Sequence, residues 1–173
     1  MNGHDPPSGY YYYAAGERVR LNLDEEWVAV DARRSEAANA TGNLRAALRD
    51  ASKPLRGDLV LVRRNALSSQ QLDALAKQGA IHPVFHAEGA MLVALPEVRV
   101  EESSPHGQEA LHDWLRKHRK DAEIVEDRGD RIVLRPTSGR GQDALTLANH
   151  LSEQVGPKLA QPRFLRIVDR FER

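Results

Sequence analysis

The segment 129–168, GDRIVLRPTSGRGQDALTLANHLSEQVGPKLAQPRFLRIV, decides the fold class that the sequence predicts. It begins with a short apolar run, Ile132–Leu134, which is typical of a strand. After a polar turn, apolar residues recur at helical spacing and predict a helix over Asp143–Gln154. A Gly-Pro pair ends that helix, and Lys158–Ile167 is predicted to be a closing strand.

The elements upstream of this segment complete a recognisable order. We predict two strands around one helix, then a polar turn and the strand already described: Val98–Glu101, Gly107–Arg119, Ala122–Glu126, Arg128–Asp130 and Arg131–Arg135. Residues 97–168 therefore read β-α-β-β-α-β, which predicts an α+β fold with a ferredoxin-like unit at its C-terminal end.

The first half of the chain predicts a second α+β subdomain over residues 10–96. Tyr10–Tyr13 and Arg18–Leu23 flank a Gly-containing turn and predict an N-terminal β-hairpin. Further strands are expected at Trp27–Ala32, Asp58–Arg63, Ile81–Phe85 and Met91–Leu95, and helices at Thr41–Ala51 and Ser69–Gly79. Their order suggests a related or distorted version of the second half. Residues 1–9 are predicted to be disordered, Pro96 marks the boundary, and 169–173 form a C-terminal tail.

Composition excludes several classes of function. The chain has 25 basic and 25 acidic residues, so its formal net charge is zero, whereas nucleic-acid binders are usually basic. No apolar stretch reaches the roughly 18 residues that a membrane-spanning helix needs. The sequence contains no cysteine, which excludes disulfides and thiolate chemistry.

The N-terminus MNGHDPPSGYYYY lacks a basic segment followed by an apolar one, so it does not read as a secretory signal. This predicts a cytoplasmic protein, or an extracellular one if a leader has been removed from the chain.

No residue pattern predicts catalysis, a metal site or a cofactor. Thr137–Gly141 places a serine before a glycine but lacks the nucleophile-elbow pattern, so we interpret it as a loop. His82 and His86 could share a strand face as a partial metal site to which Glu88 could contribute, but no further ligand is evident. The chain is therefore predicted not to be an enzyme.

An acidic hairpin tip has two interpretations. Glu126, Asp127 and Asp130 surround the turn between two predicted strands, with Arg128 and Arg131 among them. Such charge runs usually form a solvated surface. Alternatively, the carboxylates could contact helix N-termini of a partner protein, where the helix dipole favours negative charge.

Four stretches of the chain resemble the propeptides of bacterial subtilisin-like serine proteases. They are YYYYAAGERVRLNLDEEWVAVD at 10–31, HPVF at 82–85, MLVALPEVRVEE at 91–102 and the helix followed by AQPRFLRIV at 143–168. Their order and spacing cover most of the chain, and the likeness is strongest from Val98 to Val168.

This resemblance implies a role as temporary inhibitor and intramolecular folding chaperone of a subtilisin-like serine protease, acting in cis or in trans. It implies that an open sheet face packs on two helices of the protease. It also implies that a tail, Leu165–Arg173, adds as a strand to the substrate cleft. The residues expected to contact the protease are Glu126, Asp127, Asp130, Phe164, Leu165, Arg170, Phe171, Glu172 and Arg173.

Two other functions remain open at this stage. One is an adaptor that recruits a partner protein through its sheets without inhibiting it. The other is a ferredoxin-like nucleic-acid binder, against which the neutral charge and the lack of paired aromatic residues on central strands both argue.

Overall fold

The computed structural model of the chain describes residues 9–35 and 43–167. The strands are β1 (Tyr10–Ala14), β2 (Glu17–Asp31), β3 (Ser52–Pro54), β4 (Leu59–Arg63), β5 (Ile81–Ala87), β6 (Ala90–Glu101), β7 (Ala122–Asp127), β8 (Arg131–Pro136) and β9 (Leu159–Ile167). The helices are α1 (Ala32–Ser35), α2 (Asn43–Ala51), α3 (Ser69–Lys77), α4 (Pro105–Lys117) and α5 (Gly141–Gln154), with a 3-10 turn at Arg64–Ala66. The disorder predicted for residues 1–9 and the tail at 169–173 lie outside the described residues, except for Gly9.

One antiparallel sheet contains all of these strands. Neighbouring strands follow the order β3-β4-β2-β5-β6-β8-β7, while β1 pairs with β2 and β9 pairs with β6. Strand β6 is the centre of this arrangement. Its first half pairs with β5, its second half pairs with β8, and β9 runs along its other edge from end to end. The predicted α+β class is therefore confirmed, and the strands form one large antiparallel sheet.

Strand β6 is longer than the sequence predicts. The strands expected at Met91–Leu95 and Val98–Glu101 are one strand that runs through Pro96, the expected subdomain boundary. The β6–β9 register shifts between Ala94 and Val98. Proline lacks an N–H and is tolerated in strands at such irregular positions. Pro96 therefore lies where the register with β9 shifts, and the strand continues past it.

Strand β2 also joins two predicted strands into one. Its register with β5 shifts between Leu23 and Val28. Within the shift, a carboxylate oxygen of Asp24 accepts hydrogen bonds from the backbone N–H groups of Glu26 (2.8 Å) and Trp27 (3.0 Å). This side chain satisfies backbone donors that a regular ladder would have paired, so the strand continues past the irregularity.

Helices α4 and α5 cover one face of the C-terminal part of the sheet. Alternate residues of β6 and β8, including Val98 and Leu134, meet the apolar sides of both helices in one buried cluster. Ser104 caps α4, because its side chain accepts a hydrogen bond from Gly107 N–H at 3.0 Å, and Pro105 occupies the first helical turn. A second cluster packs α2 and α3 on β2 and β4, with Val28, Leu44, Val62 and Leu75 at its centre.

Helix α5 begins very close to β6. A Cβ added at Gly141 would overlap the backbone carbonyl of Ala94, which cannot move aside as a flexible side chain would. The same residue donates its N–H to Nδ1 of His82 at 3.1 Å. Glycine at this position therefore permits the start of α5 to touch both β5 and β6.

We expect Gly141→Ala to lower the free energy of unfolding by about 1–3 kcal/mol, the usual range for forcing extra volume into a packed interior. Urea unfolding followed by circular dichroism would measure the change. Gln142→Ala, at the exposed neighbouring position, is the matched control and should leave stability within about 0.5 kcal/mol. Equal stability of Gly141→Ala and the wild type would contradict the close packing described for this helix.

Candidate functional site

The face of the C-terminal strands that points away from α4 and α5 is polar. Arg99 is in register with Val133 of β8 and with Gln161 of β9, so these three side chains share that face. Because side chains alternate along a strand, the same face also carries Glu97, Glu101, Arg131, Arg135 and Arg163. A shallow depression of about 410 Å³ lies among most of these residues.

Ion pairs cross this face between neighbouring strands. Arg163 donates to Glu97 at 2.8 Å, and a terminal nitrogen of Arg135 lies 3.9 Å from the same carboxylate. Glu101 accepts from Arg99 at 2.5 Å and lies 3.5 Å from Arg131. The hydrogen bond from Arg99 lowers the pKa of the Glu101 carboxyl, and the nearby charges of Arg99 and Arg131 act in the same direction. Glu101 is therefore expected to be ionised near neutral pH.

The acidic hairpin predicted from sequence lies at one side of this face. Glu126 is in register with Val133 and accepts a 2.5 Å hydrogen bond from Arg128. Asp127 accepts from Gly129 N–H at 2.9 Å, and the backbone carbonyl of Asp130 accepts from Glu102 N–H at 2.9 Å. All three acidic side chains are exposed. The structure thus brings them together at the β7–β8 turn, beside the polar face.

Phe164 and Leu165 lie within the sheet and do not form a free tail. Phe164 pairs with Ala94, and its ring packs against Tyr12 with centroids 5.0 Å apart. Leu165 pairs with Val93 and packs on the opposite face. The expectation of a tail from Leu165 onward is therefore wrong for 165–167, because β6 supplies these residues with strand pairing. Outside the described residues lie the other predicted contact residues, Arg170, Phe171, Glu172 and Arg173.

The N-terminal part of the sheet has an apolar patch that the sequence analysis missed. Ala29, Leu61, Val84 and Val93 are buried at its centre. Half-buried residues surround them: Trp27, Leu55, Met91, Leu95, Leu165 and Ile167. Within the described ranges, every member of this cluster is on a strand or in the loop before β4, and none is on a helix. Alternation along β2 and β5 was the available signal, but the pairing of distant strands is needed to assemble the patch.

The histidine pair considered as a partial metal site has other partners. His82 is buried and accepts the Gly141 N–H, whereas His86 is exposed and bonds to Asp24 at 2.6 Å. Among residues 9–35 and 43–167, no group of three or more potential ligands could hold a metal ion. Both imidazoles thus serve structural contacts. Thr137–Arg140 forms the turn and linker before α5, as interpreted from sequence.

Burial of the His82 side chain disfavours its protonated form. The pKa of its imidazole is lowered to about 4, mainly by desolvation. The charge of Asp31 opposes this shift, and the positive charges of Arg34 and Arg135 add to it. The neutral ring leaves Nδ1 free to accept from Gly141, which a protonated ring could not do in the same geometry.

We expect His82 to make the fold less stable in mild acid. The unfolded chain binds a proton near pH 6.5 and the folded chain only near pH 4, so stability is complete above 6.5 and decreases as the pH falls between these values. The difference corresponds to about 3 kcal/mol. Urea unfolding from pH 7 to 4 should therefore show a steeper loss for the wild type than for His82→Gln. His106→Gln, on the surface of α4, is the control, and parallel curves for wild type and His82→Gln would refute the assignment.

Comparisons with models of protein families, with curated proteins and with solved structures found no match for this chain. Each helix within the described residues falls short of the length and hydrophobicity that a transmembrane span requires. Functional inference for this chain therefore depends on the geometry of its sheet and on the resemblance of its motifs.

Proposed function

We propose that the chain is a propeptide-like inhibitor and folding chaperone of a subtilisin-like serine protease. The observation that carries the proposal is the strand order β9-β6-β8-β7. Helix α4 connects β6 to β7, and α5 connects β8 to β9. In each case an antiparallel strand lies between the two strands that a helix joins, as in a split β-α-β arrangement of the ferredoxin-like type. This is the architecture that the resemblance to subtilisin-like propeptides implies.

The open face supports a binding role. Both helices pack on one side of these four strands, so the other side, which carries Arg99, Val133 and Gln161, is available to a partner. In the proposed complex this side covers two surface helices of the protease. The hairpin carboxylates of Glu126, Asp127 and Asp130 then lie where they can accept from the exposed N–H groups at the N-termini of those helices.

The position of β9 supports a contact with the substrate cleft. This strand ends at Ile167, beside the first residues of β6, and residues 168–173 follow it in the sequence. In the proposal these six residues enter the cleft of the protease and add to it as an extended strand, which gains main-chain hydrogen bonds. Arg170, Phe171, Glu172 and Arg173 are the contact residues proposed there. The chain itself contributes no catalytic group and requires no cofactor.

Inhibition by the full chain is the direct test. The subtilisin-like proteases encoded in the source genome would be purified as catalytic domains and assayed on a chromogenic peptide with increasing amounts of the chain. We expect at least one to be inhibited with a dissociation constant below about 1 μM, the order expected of a standard-sized interface. Deleting residues 168–173 should weaken inhibition at least about tenfold, because the cleft contact is lost while β9 stays intact.

Deleting residues 1–6, also six residues, is the length-matched control for that truncation and should leave inhibition unchanged. The chaperone role is tested by the yield of active protease after dilution from urea, with and without the chain. If none of these proteases is inhibited, the proposal fails. Binding to one of them without any effect on peptide hydrolysis would instead indicate an adaptor.

The hairpin contact gives a second effect. We expect Glu126→Gln with Asp130→Asn to weaken inhibition about three- to thirtyfold, since each of the two carboxylates contributes about 0.3–1 kcal/mol at a helix N-terminus. Both side chains are exposed, so the fold should be unaffected. Glu109→Gln with Asp73→Asn, at exposed positions of α4 and α3, gives the same change in net charge as a control. Equal inhibition constants for the wild type and the hairpin variant would exclude this contact.

A further inference from the structure

The open face of β6, β8 and β9 carries more positive than negative charge. We call it the arginine face and define it by Arg99, Arg131, Arg135, Arg163, Glu97 and Glu101. Each glutamate lies near two arginines: Glu97 near Arg135 and Arg163, and Glu101 near Arg99 and Arg131. On β6, β8 and β9 four guanidinium groups therefore share two carboxylates, which leaves a formal excess of two positive charges over these three strands. The edge strand β7 adds Glu123 and Glu126 to the same side of the sheet, in register with Arg135 and Val133.

The carboxylates lie deeper than most of the arginines. The side chains of Glu97 and Glu101 are 26% and 25% exposed, whereas those of Arg163, Arg99 and Arg131 are 67%, 53% and 51% exposed. A guanidinium has five N–H donors, and a pairing with one carboxylate oxygen uses only part of them. The layer that meets solvent therefore consists mainly of positively charged donors held in place from beneath by the two glutamates.

Arg135 is only partly neutralised within this layer. Its terminal nitrogen is 3.9 Å from Glu97, and its Nε atom is buried without a hydrogen-bond partner. Its nearest carboxylate already accepts the shorter bond, at 2.8 Å, from Arg163. A carboxylate of a partner that reached this face could therefore bond to Arg135 more closely than Glu97 does.

From this arrangement we infer that the arginine face binds an acidic protein surface, namely a helix or pair of helices with several Asp or Glu side chains on the contacting side. Guanidinium groups on a rigid sheet match carboxylates well, because planar, bidentate pairing needs fixed orientation on both sides. The Cβ atoms of residues three and four apart on a helix are about 5–6 Å from one another, comparable with the roughly 4.8 Å between neighbouring strands.

A protein surface is favoured over a nucleic acid by what surrounds the arginine face. Glu126, Asp127 and Asp130 are exposed at the β7–β8 turn next to it. A continuous polyanion that covered the arginines would be repelled by these carboxylates, whereas a protein can place its own acidic and basic groups separately. The inference rests on the proposed function only in taking this face as the one that the protease covers.

The test uses a probe that does not depend on the protease. A fluorescein-labelled, alanine-rich helical peptide with four glutamates on one side would be titrated with the full chain at about 0.01 M salt, where charges interact over about 30 Å. We expect saturable binding that weakens as salt is added. Amide resonances of β6, β8 and β9 near Arg99, Arg131 and Arg163 should shift more than those of α4.

Neutral variants and two comparison ligands make the test decisive. Arg131→Gln with Arg163→Gln should weaken peptide binding about tenfold, the effect of losing two exposed charge pairs. Arg116→Gln with Arg119→Gln, exposed in and just after α4, gives the same change in net charge and should leave binding unchanged. Equal binding of a peptide with glutamines in place of the glutamates would overturn the inference. So would tighter binding of a single-stranded RNA of equal charge.

The same variants separate this inference from the proposed function. If the acidic peptide binds as expected but no protease is inhibited, binding of acidic surfaces by the arginine face is supported and the inhibitor proposal is refuted. If a protease is inhibited and Arg131→Gln with Arg163→Gln inhibits it equally at low and high salt, the inhibitor proposal stands and the arginine face does not contribute to it.

Discussion

The continuous pairing of β6 along both of its edges is the constraint on which the rest of the structure depends. On one edge β9 accompanies the strand from Met91 to Glu101, and on the other β5 and β8 follow each other. The register of β6 with β9 shifts between Ala94 and Val98, around Pro96, opposite the place where β5 gives way to β8. The two halves of the molecule therefore share a strand, and neither half has a complete sheet without it.

The position of helix α5 depends on the same part of β6. Where β5 gives way to β8, Gly141 approaches the carbonyl of Ala94 and donates its N–H to His82. Helix α5 starts there and then crosses β6 and β9 on the covered side. Among the described residues, the side without helices carries two different surfaces, an apolar one around Trp27 and Leu95 and a charged one around Arg99. The irregularity in β6 lies at the boundary between these two surfaces.

Local signals predicted most elements but not their connections. The short apolar run Ile132–Leu134 identifies β8, and Ser68 caps α3 as such a residue usually does, whereas α4 begins at Pro105, before the predicted Gly107. Strand β2 stays continuous because Asp24 bonds to the backbone where the register with β5 shifts. From the sequence, the charged residues at this place predict a break between two strands. Long-range pairing also explains Leu165: its sequence resembles a departing tail, yet Val93 of β6 holds it in the sheet.

The two parts of the candidate site also differ in whether their residues are close together in the sequence. The acidic hairpin was predictable because its residues are neighbours in sequence, whereas the arginine face combines strands that are more than 60 residues apart and becomes visible only once Arg99 is in register with Gln161. The formal net charge of the whole chain is zero, so the composition does not reveal that a positive face and a negative turn lie at separate places. A partner complementary to both must present opposite signs at two adjacent places in a fixed orientation. Such a pattern disfavours surfaces of a single sign, so it gives selectivity and orientation even where each exposed pair contributes little affinity.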